Sequence, residues 1–273
     1  MSGPRKFVVK EWHKDTALFF AKLSGAAYYT PKAFTHFLRK EEIVDHYHYQ
    51  FVDRNGSQAY VLWDDENFII AFRGTQPKEM KDVFNDMKFW KRPAWEGGKV
   101  HTGFSSYVDE IWDQLKEIFF EHGINPKTKK TKKVFLTGHS LGAAAATIAA
   151  SRLGTFARGC YTFGSPRAGN GKFIKTIKCP VWRFRNQRDL VTRVPWRIMG
   201  FKHIGKFCYI DRKHELRIGA VKFWRMFKDG VASIFNKTVA DGFVDHSMSD
   251  YIKYIDDCDK VHKKVPNYLG GNK

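Results

Sequence analysis

The stretch Val134–Gly154, VFLTGHSLGAAAATIAASRLG, constrains this chain more than any other. Val134 to Thr137 read as a short buried strand and Gly138-His139-Ser140-Leu141-Gly142 as a tight turn. The alanine-rich run that follows reads as a helix with no breaker before Gly154. Strand, Gly-x-Ser-x-Gly and helix together put a serine hydroxyl on a sharp corner. A Cβ at either glycine would crowd the strand against the helix. Ala143 to Ala146 let that helix lie close to the sheet, with its N-terminal N–H groups aimed at the serine. Ser140 is therefore the candidate nucleophile.

The rest of the chain supplies a setting for such a corner. At 273 residues it is long enough for one α/β domain with a full core. No composition break asks for a second domain, so 1–273 is read as one unit with its core at about 13–256 and a frayed tail at 257–273. Asp15 or Thr16 is positioned to cap a helix running to about Tyr29, which Pro31 ends or interrupts. Ile43–Val52 and Gln58–Trp63 alternate like strands, and Asn55-Gly56 between them signals a hairpin. Phe68–Phe72 is apolar on both faces and runs into Arg73-Gly74-Thr75. Phe104–Phe120 is an amphipathic helix, and Gly159–Gly164 and Val181–Arg185 are two further buried strands. Strands alternating with helices predict an α/β fold: a mostly parallel central sheet, helices on both faces, and an antiparallel hairpin edge near the N-terminus.

In such sheets the site lies beyond the carboxyl ends of the strands, where Thr75, Ser140, Ser165 and Asp189 all fall. A serine hydroxyl needs a base and a group that orients the base. Asp189 is the first acid at a strand end, with Asp211 after a weaker strand. Of His203, His214, His246 and His262, spacing favours His246, in a loop just ahead of the last helix, without deciding the matter. Oxyanion stabilisation needs two N–H groups. Leu141, next after the nucleophile, provides one, and Thr75 is placed to provide the other.

Two segments bear on access. Gln76–Lys99 holds Phe84, Met87, Phe89, Trp90 and Trp95 among charges, and reads equally as a cover over the site or as a surface helix. Ala220–Ala240 is a basic amphipathic helix, more simply packed on the core than laid on a membrane. The formal charge of +19 points to anionic partners, nucleic acid or membrane surfaces. No nucleic-acid-binding motif accompanies it, and no nucleic-acid partner is expected. No apolar stretch is long enough to span a membrane and the N-terminus has no apolar signal region. Four scattered cysteines suggest neither a metal site nor a disulfide scaffold. The resulting expectation is an intracellular protein, cytoplasmic or peripheral to membranes.

Several motifs in one order resemble the fungal-type (class 3) lipases over roughly Ala17 to Ile255. They are Ile70–Thr75, Val100-His101-Thr102-Gly103-Phe104, Gly138–Gly142, Tyr161–Asn170, Asp189-Leu190-Val191 with Val194-Pro195, His203-Ile204-Gly205, and His246 with Ser247 and Tyr251. The resemblance implies the α/β-hydrolase fold, a Ser140–Asp189–His246 triad and an oxyanion hole at Thr75 and Leu141. It also implies that Asp86 holds the Thr75 hydroxyl. Val83 stands where the family often has tryptophan, a departure that touches the cover segment and not the triad. The implied activity is hydrolysis of lipid carboxylic esters through an acyl-enzyme, without metal or cofactor. The substrate would lie at a membrane or lipid-droplet surface, with anionic-membrane association through the basic surface. A phospholipase or a small-ester carboxylesterase is the alternative; a non-enzymatic basic binding module is set aside because every residue the chemistry needs is present.

Overall fold

The computed structural model describes residues 6–76, 90–125, 128–187, 189–219, 246–258 and 260–263. Its first helix, α1 (Lys14–Ala26), starts one residue before the expected cap: the ring of His13 accepts from Thr16 N at 3.3 Å. Pro31 opens α2 (Pro31–Lys40) instead of only ending α1, because Thr30 caps that helix and proline suits its first turn. The hairpin β1 (His48–Arg54) and β2 (Ser57–Trp63) turns at Asn55-Gly56, both at positive φ.

β3 (Asn67–Phe72) is buried along its whole length and pairs antiparallel with β2, but parallel with β6 (Lys133–His139). Two short strands, β4 (Lys91–Pro93) and β5 (Lys99–His101), precede α3 (Thr102–His122). α4 (Leu141–Leu153) follows β6, then β7 (Ala157–Phe163), β8 (Gly169–Asn170) and β9 (Val181–Asn186). The remaining elements are β10 (Phe201–Lys202), β11 (Lys206–Ile210), β12 (Leu216–Ile218), α5 (Met248–Asp256) and β13 (Val261–Lys263).

The main sheet runs β1-β2-β3-β6-β7-β9-β11-β12-β13. From β3 to β11 every pair is parallel, and the first two strands form the antiparallel edge. Helices cover both faces: α1, α2 and α5 over Phe135, Tyr161, Trp182 and Phe184, and α3 with α4 over Val134, Leu136 and Cys160. Ala143 to Ala146 are fully buried, so their small side chains set how closely α4 approaches the sheet.

Three expectations change. Lys91–Pro93, inside the segment read as cover or surface helix, pairs with Lys99–His101 as a hairpin in a second sheet of order β10-β8-β5-β4. Trp95, counted among the cover's aromatics, instead carries the Arg152 guanidinium 3.9 Å from its ring centroid and meets Trp112 edge-on. In the tail, Val261–Lys263 pairs parallel with β12 rather than fraying. Asp86, the 77–89 part of the cover, Ala220–Ala240 and residues 264–273 lie outside the described residues.

Candidate active site

The corner at Ser140 has the strained form that the motif predicts. Its φ and ψ are 58° and −125°, a conformation a non-glycine residue enters only when its surroundings hold it there. The clamps are the flanking glycines. A Cβ on Gly138 would sit 2.4 Å from the backbone of Gly142, and one on Gly142 would sit 2.3 Å from Phe72 O. The serine N–H donates to Phe163 O at 3.0 Å, which fastens the corner to the end of β7. Leu141 opens α4, so its N–H belongs to the first turn, whose N–H groups have no intrahelical acceptor.

Asp189 and His246 are 57 positions apart in sequence and meet at 2.7 Å between His246 Nδ1 and Asp189 Oδ2. Both side chains are buried. Asp189 is otherwise fully engaged. Tyr251, from α5, donates its hydroxyl to Oδ2 at 2.6 Å, and Val191 N donates to Oδ1 at 2.9 Å. A carboxylate with these donors is fixed in position. With Nδ1 bound to Asp189, the imidazole presents Nε2, which is buried and has no hydrogen-bond partner among the described residues. That is the atom a general base uses.

His139, the residue before the candidate nucleophile, ties the corner to the His246 loop. Its Nε2 lies 2.8 Å from His246 O, a carbonyl that only accepts, so Nε2 carries the proton and Nδ1 is left to accept from Tyr28 OH at 2.9 Å. Burial, with the neighbouring His246 second, holds the His139 pKa well below the ordinary imidazole range, so this link stays neutral. The Tyr28 hydroxyl also lies where a Cβ on Gly74 would stand, 2.2 Å away, and His139 O would be 2.5 Å from that Cβ. The segment after β3 thus packs directly on the corner, and Thr75 is its next residue, half-buried.

The rival histidines and acid are accounted for elsewhere. His203 Nε2 pairs with Thr192 O at 2.8 Å, His214 stacks on Tyr254, and His262 pairs with Glu215. Asp211 takes Arg217 Nε at 2.6 Å and closes its own turn through Lys213 N and Glu215 N. Tyr28, Tyr251 and Gly164 are positions at the candidate site that the sequence reading did not single out; Tyr251 and Gly164 stood inside quoted motifs without a role. Tyr251→Phe is expected to lower kcat about tenfold while costing about 1–3 kcal/mol of stability, because Asp189 loses a donor and Asn186 N, 2.8 Å from the same hydroxyl, loses its acceptor. Parallel kinetics and thermal melts check it; a fall in stability with unchanged kcat would limit Tyr251 to packing.

With this geometry in view, the likeness to known proteins is specific. Residues 69–199 match the lipase (class 3) family. A lipase of Rhizopus niveus is 34% identical over 168 residues, 56% of this chain and 41% of the relative. A secreted mono- and diacylglycerol lipase of Fusarium solani is 30% identical over 168 residues, 58% of this chain and 49% of the relative. The chain therefore spans about half, or less, of the length of these relatives. Among solved structures, MDLA of Penicillium cyclopium superposes with a TM-score of 0.64 at 23% identity, over 85% of this chain and 93% of that one.

One expectation falls here. The intracellular placement conflicts with relatives that are named secreted lipases, in Fusarium and in Malassezia. The cysteine pattern, part of the basis for that placement, does not decide it: Cys160, Cys208 and Cys258 are buried as small apolar groups, and that packing is indifferent to compartment. Among the described residues no helix is long and apolar enough to cross a membrane. Residues 69–199, just under half of the chain, thus carry the class 3 lipase sequence pattern, on a fold like that of solved fungal lipases.

Proposed function

We propose that the chain is a serine hydrolase that cleaves carboxylic esters of lipids. The observation that carries this reading is the His246–Asp189 pair, buried at 2.7 Å, with the imidazole Nε2 uncommitted and His139 linking that loop to the Ser140 corner. Ser140 attacks the ester carbonyl carbon as His246 Nε2 takes the hydroxyl proton. Asp189 holds the imidazole in the right tautomer and stabilises the imidazolium. The N–H groups of Leu141 and Thr75 receive the oxyanion, His246 returns the proton to the departing alcohol, and water releases the acid by the same steps in reverse. Asp86 serves to hold the Thr75 hydroxyl. The substrate is an acylglycerol-type lipid at a lipid–water surface, with the basic surface favouring anionic ones. The single-unit reading of 1–273 goes with this assignment.

A fluorophosphonate ester, which reacts with activated serines, tests it. The expected result is one covalent adduct, mapped by mass spectrometry to Ser140 and absent from His246→Ala but present in His203→Ala. An adduct elsewhere, or one that needs His203 instead, would overturn the assignment. Turnover of acylglycerols above and below their aggregation threshold then separates a lipase from a soluble-ester esterase, since equal rates on both sides argue for the latter.

A further inference from the structure

β9 buries positive charge that no acidic side chain pairs with among the described residues. Alternation along the strand sends Trp182 and Phe184 into the core with α1 and α5, and Arg183 and Arg185 to the opposite face. Arg183 lies over Phe207, its guanidinium carbon 4.4 Å from the ring centroid. Arg185 is only 8% exposed, and the Nε atoms of both arginines are buried without a hydrogen-bond acceptor. Neither makes an ion pair among the described residues. The nearby carboxylate is Asp189, whose oxygens are taken by His246, Tyr251 and Val191 N.

More arginines surround Arg185. Arg167 donates to the carbonyls of Arg193 and Pro195, which folds it against the loop that follows Asp189. Arg193 and Arg197 stand exposed on that loop. Burial first and the charge of Arg185 second pull Arg167 and Arg193 below the usual guanidinium range, and Arg197 adds to the effect on Arg167. Guanidinium groups keep their charge at any pH the protein meets, so this cluster repels itself unless an anion sits within it. The same loop holds Trp196 at 59% and Ile198 at 92% exposure. An oxyanion receptor beside exposed apolar side chains has the chemistry of one ligand in particular, a phosphate attached to lipid.

We infer that Arg167, Arg185, Arg193 and Arg197 form a receptor for the phosphate of an anionic phospholipid head group, with Ile198 and Trp196 entering the surrounding lipid. The planar forks of arginine suit phosphate oxygens two at a time, and the graded burial from Arg197 to Arg185 draws the anion inward. The loop begins directly after Asp189, so an occupied receptor holds a lipid surface against the candidate active site. The inference rests on the lipid-ester reading for the choice of surface, while the arginine geometry stands without it.

The test is vesicle flotation with Ser140→Ala protein, which leaves the lipid uncleaved. Vesicles are phosphatidylcholine alone or mixed with phosphatidylglycerol, at fixed ionic strength. The expected result is preference for the mixed vesicles, reduced at least about tenfold in Arg193→Gln/Arg197→Gln, an exposed pair whose change leaves the core intact. Arg185→Met, checked by thermal melting, is expected to lose as much. Lys129→Gln/Lys130→Gln removes the same charge from a distant exposed loop and is expected to retain binding; equal loss there would mean bulk charge alone and overturn the receptor. Release by inorganic phosphate at constant ionic strength, or equally tight capture of a single-stranded RNA oligonucleotide by the same arginines, would overturn its assignment to lipid. Because binding is read without turnover, absence of esterase activity in the wild type defeats the hydrolase reading alone. Absence of anionic preference defeats only this one.

Discussion

Ser140→Ala is expected to lower kcat/KM on a chromogenic acyl ester by about 10⁴- to 10⁶-fold, or about 5–8 kcal/mol of transition-state stabilisation. The loss is that large because the acyl-enzyme cannot form, and what remains comes from ester binding and the oxyanion donors alone. The fold has no reason to follow. Alanine keeps a Cβ at φ 58°, the Ser140 N–H still donates to Phe163 O, and the glycines that clamp the corner are untouched. The melting temperature should therefore stay within a few degrees of wild type. His246→Ala should cost nearly as much, and combining the two should cost little more, since nucleophile and base act as a unit. Multiplying losses in the double variant would mean that the two side chains work independently.

The parts of this site that rest on local geometry were legible from residues alone. Gly-x-Ser-x-Gly between an apolar strand and an alanine-rich helix specifies its own corner, because both glycines answer to backbone atoms a few residues away or on the adjacent strand end. Likewise Asn55-Gly56 specified the first hairpin and its register. Legibility failed where one residue type has two uses. Pro31 was read as a helix stop, yet after the Thr30 cap it is a helix start. Trp90 and Trp95 were read together in one segment, as cover or as surface helix, yet Trp95 belongs to Arg152 and α3, where a cation and an aromatic edge hold it. It failed again where partners are far apart in the chain. Tyr28 to His139 spans 111 positions and Tyr251 to Asp189 spans 62, and no periodicity announces either contact. Phenols in α-helical stripes look like core until the sheet brings a histidine or a carboxylate beneath the hydroxyl.

Gly164 is the clearest case of a position that only packing reveals, and its substitution should rank close behind that of the nucleophile. It follows β7 at φ +59°, and a Cβ there would stand 2.6 Å from His246 Cε1, 2.7 Å from His246 Nδ1 and 2.8 Å from Asp189 Oδ2. No real Cβ tolerates such distances, so in Gly164→Ala the imidazole or the carboxylate must move, and the bond between them is what gives. A misplacement of about 1 Å in a catalytic group costs about 10²-fold, and here the proposed base and its orienting acid are displaced together. The expected loss in kcat/KM is therefore about 10²- to 10³-fold. The left-handed backbone adds about 1–2 kcal/mol of destabilisation for any residue with a Cβ. Gly56→Ala separates the two contributions: its φ is +78°, but a Cβ there meets nothing within 4 Å. That variant should melt lower by a similar conformational cost and keep its activity. If both alanine variants lose stability equally and neither loses activity, Gly164 serves the turn and not the His246–Asp189 pair. If only Gly164→Ala is inactive, the space left by its missing side chain is part of the catalytic apparatus.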